Sequence, residues 1–399
     1  MHGWDADRRI KSFRKKIEKQ LQGSTAEKHF FTNPTEKTPV ETSAFLKHLN
    51  LEWVDPILKE LFPRFEWIKH RLYPRMRLVL FQKLRPDLRK VSQAYRVLKA
   101  EKEVAENLGF DPDSLPGYET IRHFINDLLD GNMLDETFYD ELREINQQLK
   151  RLGKQLGKNA LEDATIITAK RGDSEAAYSG YYEDSGWKKD LLIDQKHKIF
   201  LGYHNLGITE NEGQALQLHL EKLQRIGISV DCITADGKYP TYLNIAIAKH
   251  QFGTDLFYRP QKDWVHNIKG DIDEINKQYQ HYWKHDDFKV QADISYKLGF
   301  LCKRGDVEHV GAYYRNQHVR QYNRRLKHCV RRYRNERNAN EGFNGYLKQH
   351  MGFETSLPSK GEKQAFKHTT LCLIAVNAVV LTRLQNGITK NLTSVAYLT

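Results

Sequence analysis

Residues 162–169 have the sequence EDATIITA, and they mark the point at which helical patterns give way to strand patterns. β-Branched side chains fill the centre of this stretch, which is typical of a strand. Two further strand-like runs follow, KKDLLID at 188–194 and KIFLGYHN at 198–205, and a short polar turn at 195–197 separates them. The spacing of these two runs predicts a β-hairpin.

The chain beyond this hairpin alternates between helix and strand patterns. The predicted elements, in chain order, are a helix over 211–227 that ends at Gly227, a strand over 229–236, a helix over 239–253 with Pro240 in its first turn, a strand over 255–260 and a long basic helix over about 316–349. Three antiparallel strands followed by helix-linked strands resemble the order of ribonuclease H-like domains, in which the first and fourth strands are neighbours. The predicted fold class is therefore α/β, with a mixed sheet and flanking helices.

The chain before this region is predicted to be helical over residues 1–155. Pro63 and Pro74 interrupt the apolar pattern and are expected to bound helices, a further helix covers 90–108, and Thr120 is a plausible N-cap of the next one. A helix, a Pro/Gly turn and a second helix are compatible with a helix-turn-helix motif that binds DNA. They are equally compatible with ordinary helix packing, and both interpretations remain open.

The composition favours a nucleic-acid partner. The 399 residues carry a formal net charge of +12 and a sequence pI of about 9.2, which indicates a polyanionic partner, and nucleic acid before a membrane. Four cysteines without a close pair indicate neither a disulfide framework nor a cysteine zinc site, and they fit a reducing compartment. The N-terminus lacks the apolar centre of a signal peptide, and the longest apolar run, 369–381, is too short to span a bilayer. We expect a soluble cytoplasmic protein without a membrane partner.

Two aspartates are predicted to meet at one end of the sheet. Asp163 lies on the first strand, and Asp236 lies at the C-terminal end of the fourth strand, in ITADGKY. Neighbouring strands would bring the two carboxylates together at the strand ends that open α/β sheets use for ligands. Because two close carboxylates repel each other unless a cation lies between them, and because hard oxygen ligands select Mg²⁺ or Mn²⁺, a metal site is predicted here.

The long basic helix offers a third carboxylate. Glu341 follows Arg337 by four residues and precedes Lys348 by seven, so that all three share one helix face. This face would present one carboxylate to a metal and two cations to phosphates. The alternative is an ordinary solvated ion pair between Arg337 and Glu341.

The same helix carries a basic stripe with almost no acidic residues. Its members at helical spacing are Arg320, Arg324, Lys327, Arg331 and Arg334. A solvated helix face normally contains acidic as well as basic residues, but the sequence between 315 and 337 has a single acidic residue, Glu336. The stripe is therefore predicted to follow a DNA backbone.

These motifs together resemble the DDE-type transposases of bacterial and archaeal insertion sequences. The resemblance covers about residues 160–385 and rests on DATIIT, ITADGKY and the spacing of Arg337, Glu341 and Lys348. It implies that Asp163, Asp236 and Glu341 are the catalytic residues and hold Mg²⁺ or Mn²⁺, and that Arg337 and Lys348 contact the DNA backbone. One departure is that the tyrosine often found three residues before the arginine is Arg334 here, with Tyr333 one place away.

The resemblance also implies an activity and a domain plan. The expected reaction is metal-dependent cleavage and strand transfer of double-stranded DNA, at terminal inverted repeats and a target site, by a protein that is a homodimer on DNA. The expected parts are a DNA-binding or dimerisation region at 1–155, a ribonuclease H-like catalytic domain at 156–260 and 313–395, and a β-rich insertion at 261–312.

Other functions of the same sequence remain open. A structure-specific nuclease or resolvase would share the core, and a catalytically inactive DNA-binding derivative would share the fold and the charge. The insertion contains Trp264 and Trp283, which either offer an aromatic ring to a flipped base or form a small satellite core.

Overall fold

The computed structural model describes residues 38–260 and 311–393, apart from residues 86, 89, 129–132 and 391 and several positions between 312 and 358. The basic N-terminal segment and nearly all of the insertion at 261–312, with Trp264 and Trp283, lie outside the described residues. Arg320 lies outside them as well.

Helices make up the described chain before the sheet. They are α1 (Pro39–Lys47), α2 (Asp55–Leu61), α3 (Phe65–Leu84), α4 (Val91–Ala100), α5 (Lys102–Leu108), α6 (Tyr118–Leu128) and α7 (Met133–Arg151). The start of α1 is fixed by a capping box, in which the Thr38 side chain accepts from the Glu41 N–H and the Glu41 side chain accepts from the Thr38 N–H. The predicted helical character of this region is confirmed.

Several predicted helix boundaries are wrong. Pro74 lies inside α3, because Leu72 and Met76 on either side of it are fully buried and this burial offsets the roughly 3 kcal/mol that an internal proline costs. The helix predicted over 90–108 is two helices, α4 and α5, which meet at Glu101 in extended conformation. Thr120 lies within the first turn of α6 rather than at its cap.

The sheet is mixed and has six strands among the described residues. They are β1 (Ala160–Thr168), β2 (Ala177–Ser179), β3 (Asp184–Asp194), β4 (Phe200–Gly207), β5 (Cys232–Ala235) and β6 (Asp255–Phe257). β3 pairs antiparallel with β1 on one edge and with β4 and β2 on the other, while β1, β5 and β6 are parallel neighbours. The predicted hairpin is present as β3 and β4, and the predicted first and fourth strands, β1 and β5, are neighbours.

Helices cover both faces of this sheet. They are α8 (Ala215–Arg225), α9 (Tyr242–Phe252), α10 (Leu326–His350) and α11 (Glu362–Gln385). His219 of α8 contacts Glu162, whereas Asn344 of α10 contacts Asp163. Because successive side chains of a strand point to opposite faces, α8 and α10 lie on opposite faces of β1. Pro240 precedes α9, whose N-cap is Thr241, so its predicted place in the first helical turn is wrong.

α11 is the central helix of the hydrophobic core. By length and composition it is the one helix of the described chain that could cross a membrane, but 89% of its most apolar stretch is buried inside the protein. It packs against α7, α3 and β4. The N-terminal helices and the sheet therefore share one continuous core, and such a buried core helix fits a soluble protein.

Candidate acidic active site

The parallel pairing of β1 and β5 brings Asp163 and Asp236 to the same crevice. Glu162 is paired with Ala235 in this register, so that the two aspartates occupy the next position along each chain. Both line a small crevice between the sheet and α10, together with Tyr333 and Arg337. Neighbouring strands therefore place two carboxylates beside one helix face, as the sequence predicts.

Arg337 lies at the centre of the predicted site. Its Nη1 atom is 3.2 Å from Oδ1 of Asp236, and its Nε atom is 3.2 Å from Oε1 of Glu341. Nη1 also donates to Oη of Tyr333 at 3.4 Å. The guanidinium thus joins the second aspartate to the glutamate, and it places a positive charge where the sequence predicts a cation. Tyr333, one turn before Arg337, is the tyrosine that contacts it, despite its shifted position in the sequence.

Asp163 is held in a partly buried and strongly acidic environment. Its Oδ2 atom accepts from Nδ2 of Asn344 at 3.2 Å, and its Oδ1 atom accepts from the Ala164 N–H at 3.1 Å. Burial raises the pKa of Asp163 to about 6, and the negative charges of Asp236 and Glu212 add to this rise, while Arg337 opposes it. The pKa of Asp163 is thus raised mainly by its removal from solvent, and the neighbouring carboxylates add a smaller rise.

Glu341 lies at the exposed rim of the crevice. Its side chain is 59% exposed, and it forms the intrahelical ion pair with Arg337 that the sequence left as an alternative. The same arginine also binds Asp236, so the ion pair connects Glu341 to the aspartates. Among the described residues, the group of three potential metal ligands that lie within 4.8 Å of one another is a different one, on the other face of the sheet. Asp163, Asp236 and Glu341 are thus linked through Arg337 rather than packed against each other.

Glu336 is a second acidic residue in the same crevice. It is only 6% exposed, accepts from Oγ1 of Thr234 at 2.5 Å and from Nε of Arg332 at 2.8 Å, and connects α10 to β5. A lysine follows Glu341 by seven residues but not Glu336, and otherwise the two glutamates are alike, since each has an arginine four residues earlier on the helix. The structural role of Glu336 becomes apparent only from the packing of α10 against β5.

The described part of the basic stripe is exposed to solvent. Arg324 lies just before α10, and Lys327, Arg331 and Arg334 follow along the helix, all with exposed side chains. Arg332 of the same run points inward, where its guanidinium lies 4.1 Å from the centre of the Phe257 ring. Lys348, near the end of α10, is of intermediate exposure. An uninterrupted row of cations is thus presented on the outer face of the helix that carries Arg337 and Glu341.

Asp194 is a structural residue of the β3–β4 turn. It is 1% exposed and accepts three hydrogen bonds, from the Gly157 N–H at 2.9 Å, the His197 N–H at 2.6 Å and Nδ1 of His197 at 3.0 Å. The sequence places it in the hairpin turn, where its substitution by Asn is expected to change neither cleavage nor DNA affinity. The observed contacts give the carboxylate a structural role, because they join the turn to the segment before β1.

Comparison with known proteins adds no family to this description. No protein-family model matches the chain, and no curated protein matches it. The functional argument therefore depends on the geometry of the crevice and of α10.

Proposed function

We propose that this protein is a DDE-type transposase, which cleaves DNA at the ends of its own insertion sequence and joins them to a target with Mg²⁺ or Mn²⁺. The observation that carries the proposal is the position of Arg337, which links Asp236 and Glu341 beside Asp163 in a crevice between two parallel strands and one helix. The residues that the sequence motifs select therefore belong to one electrostatic group.

The topology of the sheet supports a ribonuclease H-like catalytic domain at 156–260 and 313–395. β1 lies at the centre of the strand order. On one side β3 is antiparallel to β1 and β4 is antiparallel to β3, and on the other side β5 and β6 are parallel to β1. The pairing of β1 with β5 is the feature that the resemblance to ribonuclease H-like domains predicts. A fold of this kind does not by itself specify a function, so the crevice carries the argument.

The donor set of the crevice fits a hard divalent cation. Asp163, Asp236 and Glu341 offer carboxylate oxygens, which are the ligands that Mg²⁺ and Mn²⁺ prefer. Burial raises the pKa of Asp163 and the charge of Asp236 adds to this rise, so a bound cation would stabilise the ionised form of Asp163. Bound divalent cations would stabilise the charge that develops during phosphoryl transfer.

Arg337 and Lys348 are positioned to hold the DNA strand that is cut. Arg337 keeps 39% of its side chain exposed while it contacts Asp236, so its guanidinium is accessible to a phosphate at the crevice. A planar guanidinium binds phosphate oxygens in pairs, which orients the phosphodiester as well as neutralising it. Lys348 lies two turns beyond Glu341 on the same face and would contact the next part of the backbone.

The exposed stripe of α10 would hold double-stranded DNA beside the crevice. Four cations without interspersed acidic side chains favour contact with phosphates, and such contacts contribute affinity without sequence preference. A transposase acts on two DNA ends, so we propose a homodimer on DNA, in the cytoplasm and associated with the nucleoid.

This function can be tested by the products that the protein forms from the DNA that flanks its own gene. The purified full chain is incubated with Mg²⁺, a duplex carrying one such end and a supercoiled target plasmid. A transposase yields cleaved ends and ends joined to the target through a free 3′-hydroxyl. Cleavage without joining would identify a nuclease or resolvase instead, and binding without cleavage would identify an inactive derivative.

A further inference from the structure

A second polar group lies on the opposite face of the sheet from Asp163. It consists of Glu162 on β1, Asp190 on β3 and His219 on α8, and we call it the buried triad. Glu162 precedes Asp163 and points the other way, and Asp190 shares its face because it is paired with Ala164. All three side chains are at most 1% exposed. The buried triad is therefore separated from the acidic crevice by the thickness of the sheet.

The distances within the buried triad match those of a metal site. Nδ1 of His219 lies 3.1 Å from Oε1 of Glu162 and 3.7 Å from Oδ1 of Asp190, and the three ligand atoms all lie within 4.8 Å of one another. In a tetrahedral site with bonds of about 2.0–2.2 Å, neighbouring ligand atoms are roughly 3.3–3.6 Å apart. The distances of 3.1 Å and 3.7 Å lie just below and just above that range, so a small adjustment of the side chains would place the three atoms around one ion.

Two buried oxygens of the triad receive no hydrogen bond from an N–H or hydroxyl group of the described residues. They are Oε2 of Glu162 and Oδ1 of Asp190, both of which are inaccessible to solvent, and the two carboxyl groups contact each other directly. Buried polar atoms are almost always hydrogen-bonded in folded proteins, so an exception calls for a specific explanation such as an ion. Two carboxyl groups in one buried space need either a shared proton or a cation between them.

Nearby protein cations do not fill this role. Lys188 and Lys238 both bind Glu212, at 3.0 Å and 3.4 Å, and Lys222 binds Asp135 at 2.5 Å. Each of these ammonium groups has a carboxylate partner outside the triad. The negative charge of Glu162 and Asp190 is thus either removed by protons on the carboxyl groups or balanced by His219 or by an ion.

The surroundings of the triad orient its ligands. Oη of Tyr239 donates a short hydrogen bond to Oδ2 of Asp190, which leaves Oδ1 directed at His219. Gly202 lies against the imidazole, and a Cβ atom there would be 3.2 Å from Cδ2 of His219. Hydrogen bonds and packing that fix the ligands are typical of metal sites.

We propose that Glu162, Asp190 and His219 form a structural site for one divalent transition-metal ion, with Zn²⁺ as the best-fitting ion. An imidazole nitrogen with two carboxylates suits Zn²⁺ better than Mg²⁺, which prefers oxygen ligands alone. Because the site is fully buried, the ion would connect α8 to β1 and β3 rather than meet a substrate. This inference is independent of the transposase proposal, which concerns the other face of the sheet.

Metal content of the full chain tests the proposal. The protein is purified in the presence of Zn²⁺, passed through a desalting column and measured by inductively coupled plasma mass spectrometry. We expect about one zinc per wild-type chain, the loss of it in His219→Gln and Asp190→Asn, and its retention in the matched control His123→Gln, whose histidine is exposed on α6. Wild-type protein without zinc, or zinc retained by folded His219→Gln protein, would overturn the site.

X-ray absorption at the zinc edge covers the case in which the triad variants do not fold. Wild-type protein should show a nitrogen and oxygen shell at about 2.0–2.1 Å with the scattering of a single imidazole. A sulfur shell or several imidazoles would assign the ion to other residues and contradict the proposal. Asp236→Asn should keep its zinc even if it loses cleavage, so the two proposals can fail separately.

Discussion

Arg337 is the single residue on which the electrostatics of the crevice depend most. Its guanidinium binds Asp236 and Glu341 and lowers the pKa of Asp163, which burial would otherwise raise further. The same charge is exposed toward the side on which DNA would lie. A residue that offsets the charge of the acidic crevice and can contact a phosphate would couple the protonation of the proposed site to DNA binding.

The pH dependence of cleavage should report the pKa of Asp163. A cation binds the ionised carboxylate, so at limiting Mg²⁺ the cleavage rate should rise with pH through about 6, the pKa of Asp163. In the Arg337→Gln variant the pKa of Asp163 should be higher, so the pH range over which the cleavage rate increases should shift to higher pH. The measurement is the initial cleavage rate at saturating DNA between pH 5 and pH 9.

The control for this shift is Arg331→Gln. It removes one positive charge from the exposed stripe of the same helix. This variant should lower DNA affinity and leave the pH dependence of the cleavage rate unchanged. If the pH dependence of the cleavage rate were also unchanged in Arg337→Gln, Arg337 would have no effect on the ionisation of Asp163.

Asp163 and Asp194 should have opposite effects on stability. The pKa of Asp163 is raised from an ordinary value of 3.8 to about 6, so the folded state binds its proton more tightly and loses stability as pH rises between these two values. Asp163→Asn should therefore raise the free energy of unfolding at pH 7.5, in metal-free buffer, by roughly 1–3 kcal/mol. This gain should disappear below about pH 4.

Asp194→Asn should instead lower the free energy of unfolding, by about 1–3 kcal/mol, because its carboxylate accepts three buried hydrogen bonds. Urea titrations of both variants at pH 7.5 check the two signs. A loss of stability in Asp163→Asn at neutral pH would mean that this carboxylate supports the fold instead of being held there for function.

The elements of the sheet were largely predictable from the sequence. The strands of β1, β3, β4 and β5 have apolar and β-branched runs bounded by polar turns, and this pattern depends only on local sequence. β2 escaped prediction because it has three residues, of which two are exposed, so it lacks an apolar alternation.

The parts of the site that were not predictable depend on register and packing. The sequence selects Asp163 and Asp236 because both lie on recognisable strands. It gives no sign that Glu162 and Asp190 share a face with His219, because that follows from the pairing of β1 with β3 and from the rotation of α8. Nor does it distinguish the buried Glu336 from the exposed Glu341, which lie five residues apart on one helix.

The two glutamates of α10 should separate stability from catalysis. Glu336 is buried between Thr234 and Arg332, whereas Glu341 is exposed at the rim of the crevice. Glu336→Gln should lower the melting temperature and retain cleavage below that temperature. Glu341→Gln should keep the melting temperature within about 1 °C of the wild type, in line with the small effects of surface substitutions, and abolish cleavage.

Thermal denaturation and Mg²⁺-dependent cleavage, measured on the same two preparations, decide between these roles. If Glu336→Gln abolished cleavage in a folded protein while Glu341→Gln remained active, the third carboxylate of the site would be Glu336.

The outer face of α10 should control affinity for DNA of any sequence. Replacing Arg324 and Arg331 by Glu reverses two exposed charges of the stripe. Affinity should fall by a similar factor for cognate and unrelated duplexes, and the slope of log affinity against log salt should decrease by about 2, since each phosphate contact contributes about 0.9. Fluorescence anisotropy between 50 and 200 mM salt measures both quantities.

Arg225→Glu is the control for this charge reversal, because its exposed side chain lies at the end of α8, on the opposite face of the sheet from α10. A loss confined to the cognate duplex would show that the stripe contacts bases and not phosphates.

The whole molecule is built around α11, and this limits how its parts can act. α11 packs against α7 and α3 of the N-terminal helices as well as against β4 of the sheet. The acidic crevice lies on the face of β1 covered by α10, and the buried triad lies on the face covered by α8. One sheet thus carries a proposed catalytic site on one side and a proposed structural ion on the other, so the ion would stabilise the strand that bears Asp163.

The most direct test of the central claim is a paired measurement on Asp236→Asn, which nearly preserves side-chain volume and removes one carboxylate from the crevice. Mg²⁺-dependent cleavage and joining of the cognate DNA end should be abolished, while affinity for that DNA in metal-free buffer should be unchanged or slightly higher. Asp231→Asn, at an exposed carboxylate that precedes β5 at the opposite end from Asp236, should match the wild type in both assays. Normal cleavage by Asp236→Asn would contradict the assignment of this crevice as the active site.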